Sequence, residues 1–208
     1  MNNRGLGALL WKDYRLNRLV LIAGLAVLLI PFLAAAALSQ TGKHTSLREL
    51  VAALSPLNAM VSMLVIAALG ANTMTAEKTD RSAAFMAYLP PSRLLLLLSK
   101  AICVLGMSAS LVGVNLALVT AFSPHPSGAW GLGTILWRAL PVAGLVLGGA
   151  WLTGALLSST AIATCAGVLL YFVVVILPKE WFPVDALVLG ASCLLAGAAV
   201  FVRREAEV

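Results

Sequence analysis

Charged residues are scarce in this sequence, and acids are the scarcest. Only 11% of its 208 residues are charged, with 8 acids against 14 bases, while 61% are hydrophobic and the mean hydropathy is +1.00. A soluble domain has roughly a quarter charged residues, so the shortage excludes an ordinary soluble domain. The apolar runs are unbroken, unlike the ~10-residue alternating strands of a membrane β-barrel. The composition therefore predicts an all-α polytopic membrane protein.

The residues and motifs of common active sites are also missing. The three cysteines fall in apolar runs without a CxxC pair, which is typical of packing residues. Neither HExxH nor GxSxG nor a complete Walker motif occurs. No acid lies deep in an apolar run, where ion-coupled carriers commonly have ionisable groups. We therefore expect no catalytic residue, no metal ligand and no bound cofactor in this chain, and an intramembrane enzyme is disfavoured.

Six apolar runs approach the ~20 residues that a helix needs to cross a bilayer. A cleaved signal peptide is disfavoured, because the first run is longer than the 7–15 apolar residues of such a peptide and no clear cleavage site follows. The spans take up most of the chain, so we predict one transmembrane domain over residues 1–208. The predicted spans are 19–38, 51–72, 101–121, 139–157, 160–178 and 184–202.

The bases lie mostly on one side of these spans. With a cytoplasmic N-terminus, ten Lys and Arg residues fall on the cytoplasmic side and four fall outside, namely Lys43, Arg48, Arg138 and Lys179. Since basic loops stay in the cytoplasm, we predict a cell inner or plasma membrane protein with both termini cytoplasmic. This orientation explains the net charge of +6, and nucleic acid is not an expected partner.

Residues 5–16, GLGALLWKDYRL, form an amphipathic pattern before the first span. Leucines and Trp11 share one helical face. The other face carries most of the charge, from Lys12, Asp13 and Arg15. With Trp11 and Tyr14 as anchors, the pattern predicts a helix lying at the membrane surface. The alternative is a positively charged lead-in to the first span.

Polar residues are few within the spans. Asn58 and Asn115 are the most polar groups at depth, and we predict that they form interhelical hydrogen bonds. Lys100 lies at the inner end of its span, where its side chain can snorkel towards the headgroups. The connection at residues 156–161, LLSSTA, is short and uncharged, which predicts a tight helical hairpin. Recurring glycines in the later spans favour close helix contacts.

Residues 77–100, EKTDRSAAFMAYLPPSRLLLLLSK, have more patterning than a plain loop needs. Ser82 is a suitable N-cap, and Pro90 and Pro91 end the helix that follows it. This short helix has large apolar side chains and charged flanks, as a protein-docking surface does. An amphipathic turn resting on lipid headgroups explains the composition equally well.

The order of these features resembles the permease subunit of an ABC-2 type ABC transporter. LLWKDYRLNR resembles the elbow helix that precedes the first span of that family. Residues 77–100 resemble its second signature through Glu77, the LPPSR stretch at 89–93 and Lys100. Arg81-Ser82 stands where Gly-Thr is usual, and Phe85-Met86 replaces leucines. The resemblance covers about residues 8–100.

The resemblance implies that residues 82–89 are a coupling helix, seated in a groove of a separate cytoplasmic ATPase that holds ATP and Mg. A second permease subunit, identical or different, would complete a pathway that moves a substrate, most commonly outwards. The residues implied to contact the ATPase are Ser82, Ala83, Phe85, Met86, Tyr88 and Leu89. Those implied to brace the loop are Glu77, Arg81 and Arg93, against Lys12 or Arg15 of an elbow helix that also contains Trp11 and Tyr14.

Two other functions remain open on the residues alone. The same loop could recruit a cytoplasmic protein to a scaffold that transports nothing. A secondary carrier would need no ATPase, but the lack of deep acids counts against it.

Overall fold

The computed structural model describes residues 3–40, 47–79, 93–122, 132–176 and 182–204. These ranges contain helix and no strand, and only residues 157–159 fall outside a helix. In chain order the helices are α1 (Asn3–Gln40), α2 (Leu47–Thr79), α3 (Arg93–Phe122), α4 (Leu132–Leu156), α5 (Thr160–Ile176) and α6 (Phe182–Arg204). The predicted all-α class is confirmed for this part of the chain.

Five of these helices are long and apolar enough to cross a bilayer. They indicate a multi-pass membrane protein. The exception is α5, whose 17 residues extend about 26 Å at 1.5 Å per residue, less than the ~30 Å of a hydrocarbon core. Five of the six predicted spans thus correspond to helices of sufficient length and apolarity, and the described part of the run at 160–178 forms a shorter apolar helix, Thr160–Ile176.

The N-terminal segment and the first predicted span are one helix. α1 continues from Asn3 to Gln40, so residues 5–16 are its first turns and not a separate elbow helix. The two residues between them, Asn17 and Arg18, include neither glycine nor proline to break the helix. Asn17 instead supports the helix, because its Nδ2 donates to the Asp13 carbonyl oxygen at 2.9 Å.

The centre of the bundle is α2, which contacts α1, α3, α4 and α5. Lipid tails are as apolar as leucine, so close packing and hydrogen bonds hold such helices together. The closest described backbone approach joins α4 and α6, where a Cβ atom on Gly148 would lie 2.4 Å from the Gly190 carbonyl oxygen. The predicted role of these glycines is confirmed. Fully buried side chains of the core include Leu28, Ile66, Leu69, Val104, Leu111, Leu145 and Val146.

A three-residue connection, 157–159, joins α4 to α5. The Leu157 N–H extends the helical bonding by donating to the Thr153 carbonyl oxygen at 2.8 Å. Ser159 Oγ then accepts from the Ile162 N–H at 3.4 Å, as an N-cap does. The tight hairpin is confirmed. We call this end of the bundle the inner end, since the charge pattern predicts that it faces the cytoplasm.

The hydrogen bond predicted for Asn58 and Asn115 is also confirmed. Asn58 Nδ2 donates to Asn115 Oδ1, and Asn115 Nδ2 donates to Ser62 Oγ at 2.9 Å. These contacts join α2 to α3 towards the end of the bundle opposite the inner end.

Candidate functional site

A buried polar cluster joins three helices at the inner end of the bundle. Five of its six side chains are 1–3% exposed and Asn72 is half-buried. Two members come from each of α1, α2 and α3. We call it the inner-end cluster, and it consists of Asp13, Asn17, Asn72, Thr73, Ser99 and Lys100.

The cation of this cluster is Lys100 of α3. Its Nζ donates to the Thr73 carbonyl oxygen at 2.9 Å and lies 4.0 Å from Asp13 Oδ1. The Phe201 ring of α6 is also near, with its centroid 6.0 Å from Nζ. A buried charge is costly unless it is paired and hydrogen-bonded, and these contacts meet that need. The prediction that Lys100 snorkels to the headgroups is wrong, because its ammonium turns inward.

The anion of the cluster is Asp13 of α1. Its second carboxylate oxygen, Oδ2, accepts a hydrogen bond from Ser99 Oγ at 2.6 Å. The sequence grouped Asp13 with Lys12 and Arg15 on the charged face of an interfacial helix, and this is wrong because the Asp13 side chain is only 3% exposed. The physical reason is that a partner from α3 meets the carboxylate there, so its charge is stabilised inside the protein.

An amide group forms the second layer of the cluster. Asn17 Oδ1 accepts from Asn72 Nδ2 at 3.0 Å and from Thr73 Oγ1 at 3.3 Å. Since Asn17 lies one turn after Asp13 on α1, the two side chains share a helical face. α1 is therefore bonded to α3 through Asp13 and to α2 through Asn17.

The cluster lies beside the chain segment that the sequence singled out. α2 ends at Thr79, six residues after Thr73, and α3 begins at Arg93, seven residues before Lys100. At 1.5 Å per residue these stretches are about 9 and 10 Å long. The two helices that flank residues 80–92 are thus bonded to each other and to α1 within about 10 Å, measured along each helix, of Thr79 and Arg93. Such an arrangement can hold the base of a loop in a fixed geometry.

The residues predicted to dock an ATPase lie outside the described residues, as does one bracing residue. The predicted braces Glu77 and Arg93 are helical, on the last turn of α2 and at the start of α3. Their side chains are not among those described, so the predicted pairing with Lys12 or Arg15 stays a prediction. Outside the described ranges are Arg81, Ser82, Ala83, Phe85, Met86, Tyr88 and Leu89.

The residues predicted for the elbow helix lie on the early turns of α1. Trp11 is 65% and Tyr14 41% exposed, and their rings stack with centroids 5.7 Å apart. Arg15 is exposed and Lys12 is half-buried. The two anchors therefore face away from the bundle, as a membrane anchor requires, whereas Asp13 between them faces into it. The grouping of Trp11 with the leucines is wrong, because Trp11 shares its exposed face with Arg15, one helical turn later.

Sequence reasoning missed the inner-end cluster as a unit. One signal for it was present: polar side chains occur in pairs at the predicted inner ends of three consecutive helices. These are Asp13 with Asn17, Asn72 with Thr73, and Ser99 with Lys100. Each pair read alone is an ordinary helix-end feature, and only their convergence reveals a site.

Within the described ranges, no three His, Cys, Asp or Glu side chains are grouped so that they could hold a metal ion. No protein-family model, curated protein or solved structure matches this chain. The features that bear on its function are therefore its own: five apolar helices, the motifs of residues 8–100 and the inner-end cluster at the base of the 80–92 segment.

Proposed function

We propose that this chain is the membrane-spanning permease subunit of an ABC-2 type ABC transporter. It would move a substrate, most commonly outwards, using ATP and Mg at a separate cytoplasmic ATPase, together with a second permease subunit. The observation that carries the proposal is the inner-end cluster, which bonds both helices flanking residues 80–92 to α1. A loop that receives force from a partner needs a base of this kind, because a loose loop would absorb the motion.

The contacts of α2 supply a route for that motion. α2 also packs against α4 and α5, and at its inner end Thr75 Oγ1 lies 2.5 Å from Thr160 Oγ1, at the start of α5. A displacement of the loop base would therefore reach the α4–α5 hairpin as well as α1 and α3. Packed helices transmit such displacements because their interfaces deform little.

The docking part of the proposal assigns the apolar residues Phe85 and Met86 to the ATPase groove. Replacing both with Asp would place two carboxylates in the apolar groove. A buried unpaired charge is costly, so docking should be weakened. The F85D/M86D variant should lose the ATPase partner and transport while the protein still inserts. A matched double change in the outer connection, H44D/T45D, adds the same charge at a site that should not meet the ATPase.

The test is affinity purification from the native host in mild detergent, followed by mass spectrometry. A stoichiometric P-loop ATPase that is present with wild type and H44D/T45D, but absent with F85D/M86D, would support the proposal. Recovery of the chain alone under cross-linking would exclude it. A stoichiometric cytoplasmic partner without a P-loop would point to a recruiting scaffold instead.

A secondary carrier is the second candidate, and the buried Asp13–Lys100 pair is the observation that favours it. Ionisable residues that face the interior of a bundle can mark ion pathways in carriers, and this pair faces the interior at the inner end of the bundle. The discriminating measurement is substrate uptake by vesicles that contain only this chain. Uptake driven by a proton or sodium gradient without ATP would favour the carrier, and dependence on an added ATPase would favour the permease.

A further inference from the structure

The inner part of α1 has two opposite faces. Asp13 and Asn17 point into the bundle, while a second set of side chains is exposed. The exposed set follows the spacing i, i+3, i+4, i+7, which puts its members on one helical face. We call it the arginine–aromatic stripe, and it consists of Trp11, Tyr14, Arg15 and Arg18.

The two arginines of the stripe have no acidic partner among the described side chains. The acid nearest to them in sequence, Asp13, is turned away and bonded to Ser99 of α3. Two neighbouring guanidinium groups one turn apart therefore present their donors outward. An anion that approaches α1 from this side meets two forks of N–H donors, a geometry that suits phosphate.

The position of the stripe along α1 matches a headgroup layer. From Leu19 to Leu38 the helix has no charged residue, and these 20 residues extend about 30 Å, the thickness of a hydrocarbon core. Arg18 directly precedes this run. Trp11 lies seven residues further out, about 10 Å along the axis, so the stripe covers the headgroup region.

We propose that the arginine–aromatic stripe binds the headgroups of anionic phospholipids in the inner leaflet. Lipid is the favoured occupant because the stripe continues directly into exposed apolar side chains, Leu19 at 71% and Ile22 at 58%. Stacked Trp and Tyr rings prefer the same headgroup depth. This site would fix the rotation of α1, with lipid on one face and the inner-end cluster on the other, and it does not depend on the proposed transport function.

The test uses the purified full chain, stripped of lipid and returned to nanodiscs or detergent with defined lipid. Native mass spectrometry would count bound phosphatidylglycerol against phosphatidylcholine. We expect wild type to prefer the anionic lipid, and R15Q/R18Q to lose about 30-fold of that preference, the effect of two basic residues at a membrane surface. R15K/R18K should keep part of it, because the charge remains and the fork is lost.

The control is R203Q/R204Q, which removes the same charge at the end of α6. A preference that falls equally in this control would overturn the site, since net charge alone would explain the binding. An unchanged lipid preference in R15Q/R18Q would also overturn the proposed site, because the two arginines would then not be binding the lipid. Inorganic phosphate at the same concentration should not displace the lipid, and displacement would contradict a lipid-specific site.

A second measurement does not depend on charge. Trp11 fluorescence, taken as the difference between wild type and W11F, should be quenched more by lipid brominated near the headgroup than by lipid brominated near the chain end. Stronger quenching by the deeper bromines, or none by either, would contradict the assigned depth.

Discussion

Lys100 of α3 reaches across the bundle to within 4.0 Å of the Asp13 carboxylate of α1, and both side chains are almost completely buried. Each ion is costly to bury alone and tolerable only beside the other. The pair therefore raises the free energy of any state in which α1 and α3 separate at the inner end while either ion remains unhydrated. This makes it a contact that specifies which helices meet, whatever its net contribution to stability.

The first prediction concerns this pair. K100M should destabilise the folded protein by about 3–5 kcal/mol, because it leaves the Asp13 carboxylate buried without its cation. D13N/K100M should be more stable than K100M, since the second change removes the orphaned charge. The measurement is unfolding in mild detergent, followed by tryptophan fluorescence. If the effects of D13N and K100M on the free energy of unfolding simply add in the double variant, the two side chains are not coupled.

Ser108 offers an internal control for that experiment. Its hydroxyl is buried on the same helix and has no hydrogen-bond partner among the residues that the structure describes. S108A should be neutral or slightly stabilising, because it removes an unsatisfied polar group. A loss comparable to that of K100M would mean that any polar deletion in α3 is damaging.

The second prediction concerns the α4–α6 crossing. G148A should destabilise by about 1–3 kcal/mol, since its new Cβ would meet the Gly190 backbone and force the helices apart. At Gly106 and Gly113 of α3 an added Cβ meets no atom of the described part of the chain within 4 Å. G106A and G113A should be neutral or stabilising, because alanine favours helix over glycine. Thermal unfolding midpoints would compare the three, and equal losses would contradict the crossing.

The third prediction concerns the hydrogen bonds between Asn58 and Asn115. A cycle of N58L, N115L and the double variant should give a coupling of about 0.6 kcal/mol, with ~1.7 as an upper value for such bonds in membranes. The same unfolding assay measures it. A coupling of zero would show that the two amides do not stabilise each other.

The fourth prediction concerns orientation. In a variant whose native cysteines are replaced by alanine, K43C should react with a membrane-impermeant maleimide in intact cells. R203C should react only after lysis, because the excess of bases predicts a cytoplasmic C-terminus. The reverse labelling pattern would overturn the topology and would move the inner-end cluster to the outside.

Much of the fold could be predicted because hydrophobicity is a local signal. The five long apolar helices, the 157–159 hairpin, and the involvement of Asn58, Asn115 and the glycines in helix contacts each follow from a short window of sequence, whereas the partners in those contacts do not. The break between residues 16 and 19 was predicted wrongly, since a change from charged to apolar sequence does not interrupt a helix that lacks a breaking residue.

The inner-end cluster could not be predicted because it depends on segments far apart in the chain. Ser99 and Asp13 are 86 positions apart, and nothing local tells Asp13 from a solvated acid. Lys100 at a helix end looks like a snorkelling residue until Thr73 and Asp13 are brought beside it. Burial of charge is a property of the assembled bundle. The sequence alone therefore predicted exposed positions for both Asp13 and Lys100.

The short link between α4 and α5 also bears on how the chain enters a membrane. Three residues span at most about 10 Å, a third of the hydrocarbon core. The inner ends of the two helices must therefore lie on the same side of the bilayer, whichever side that is. A topology error that carried the inner end of α4 to the opposite face would carry the start of α5 with it, so the two helices share one orientation.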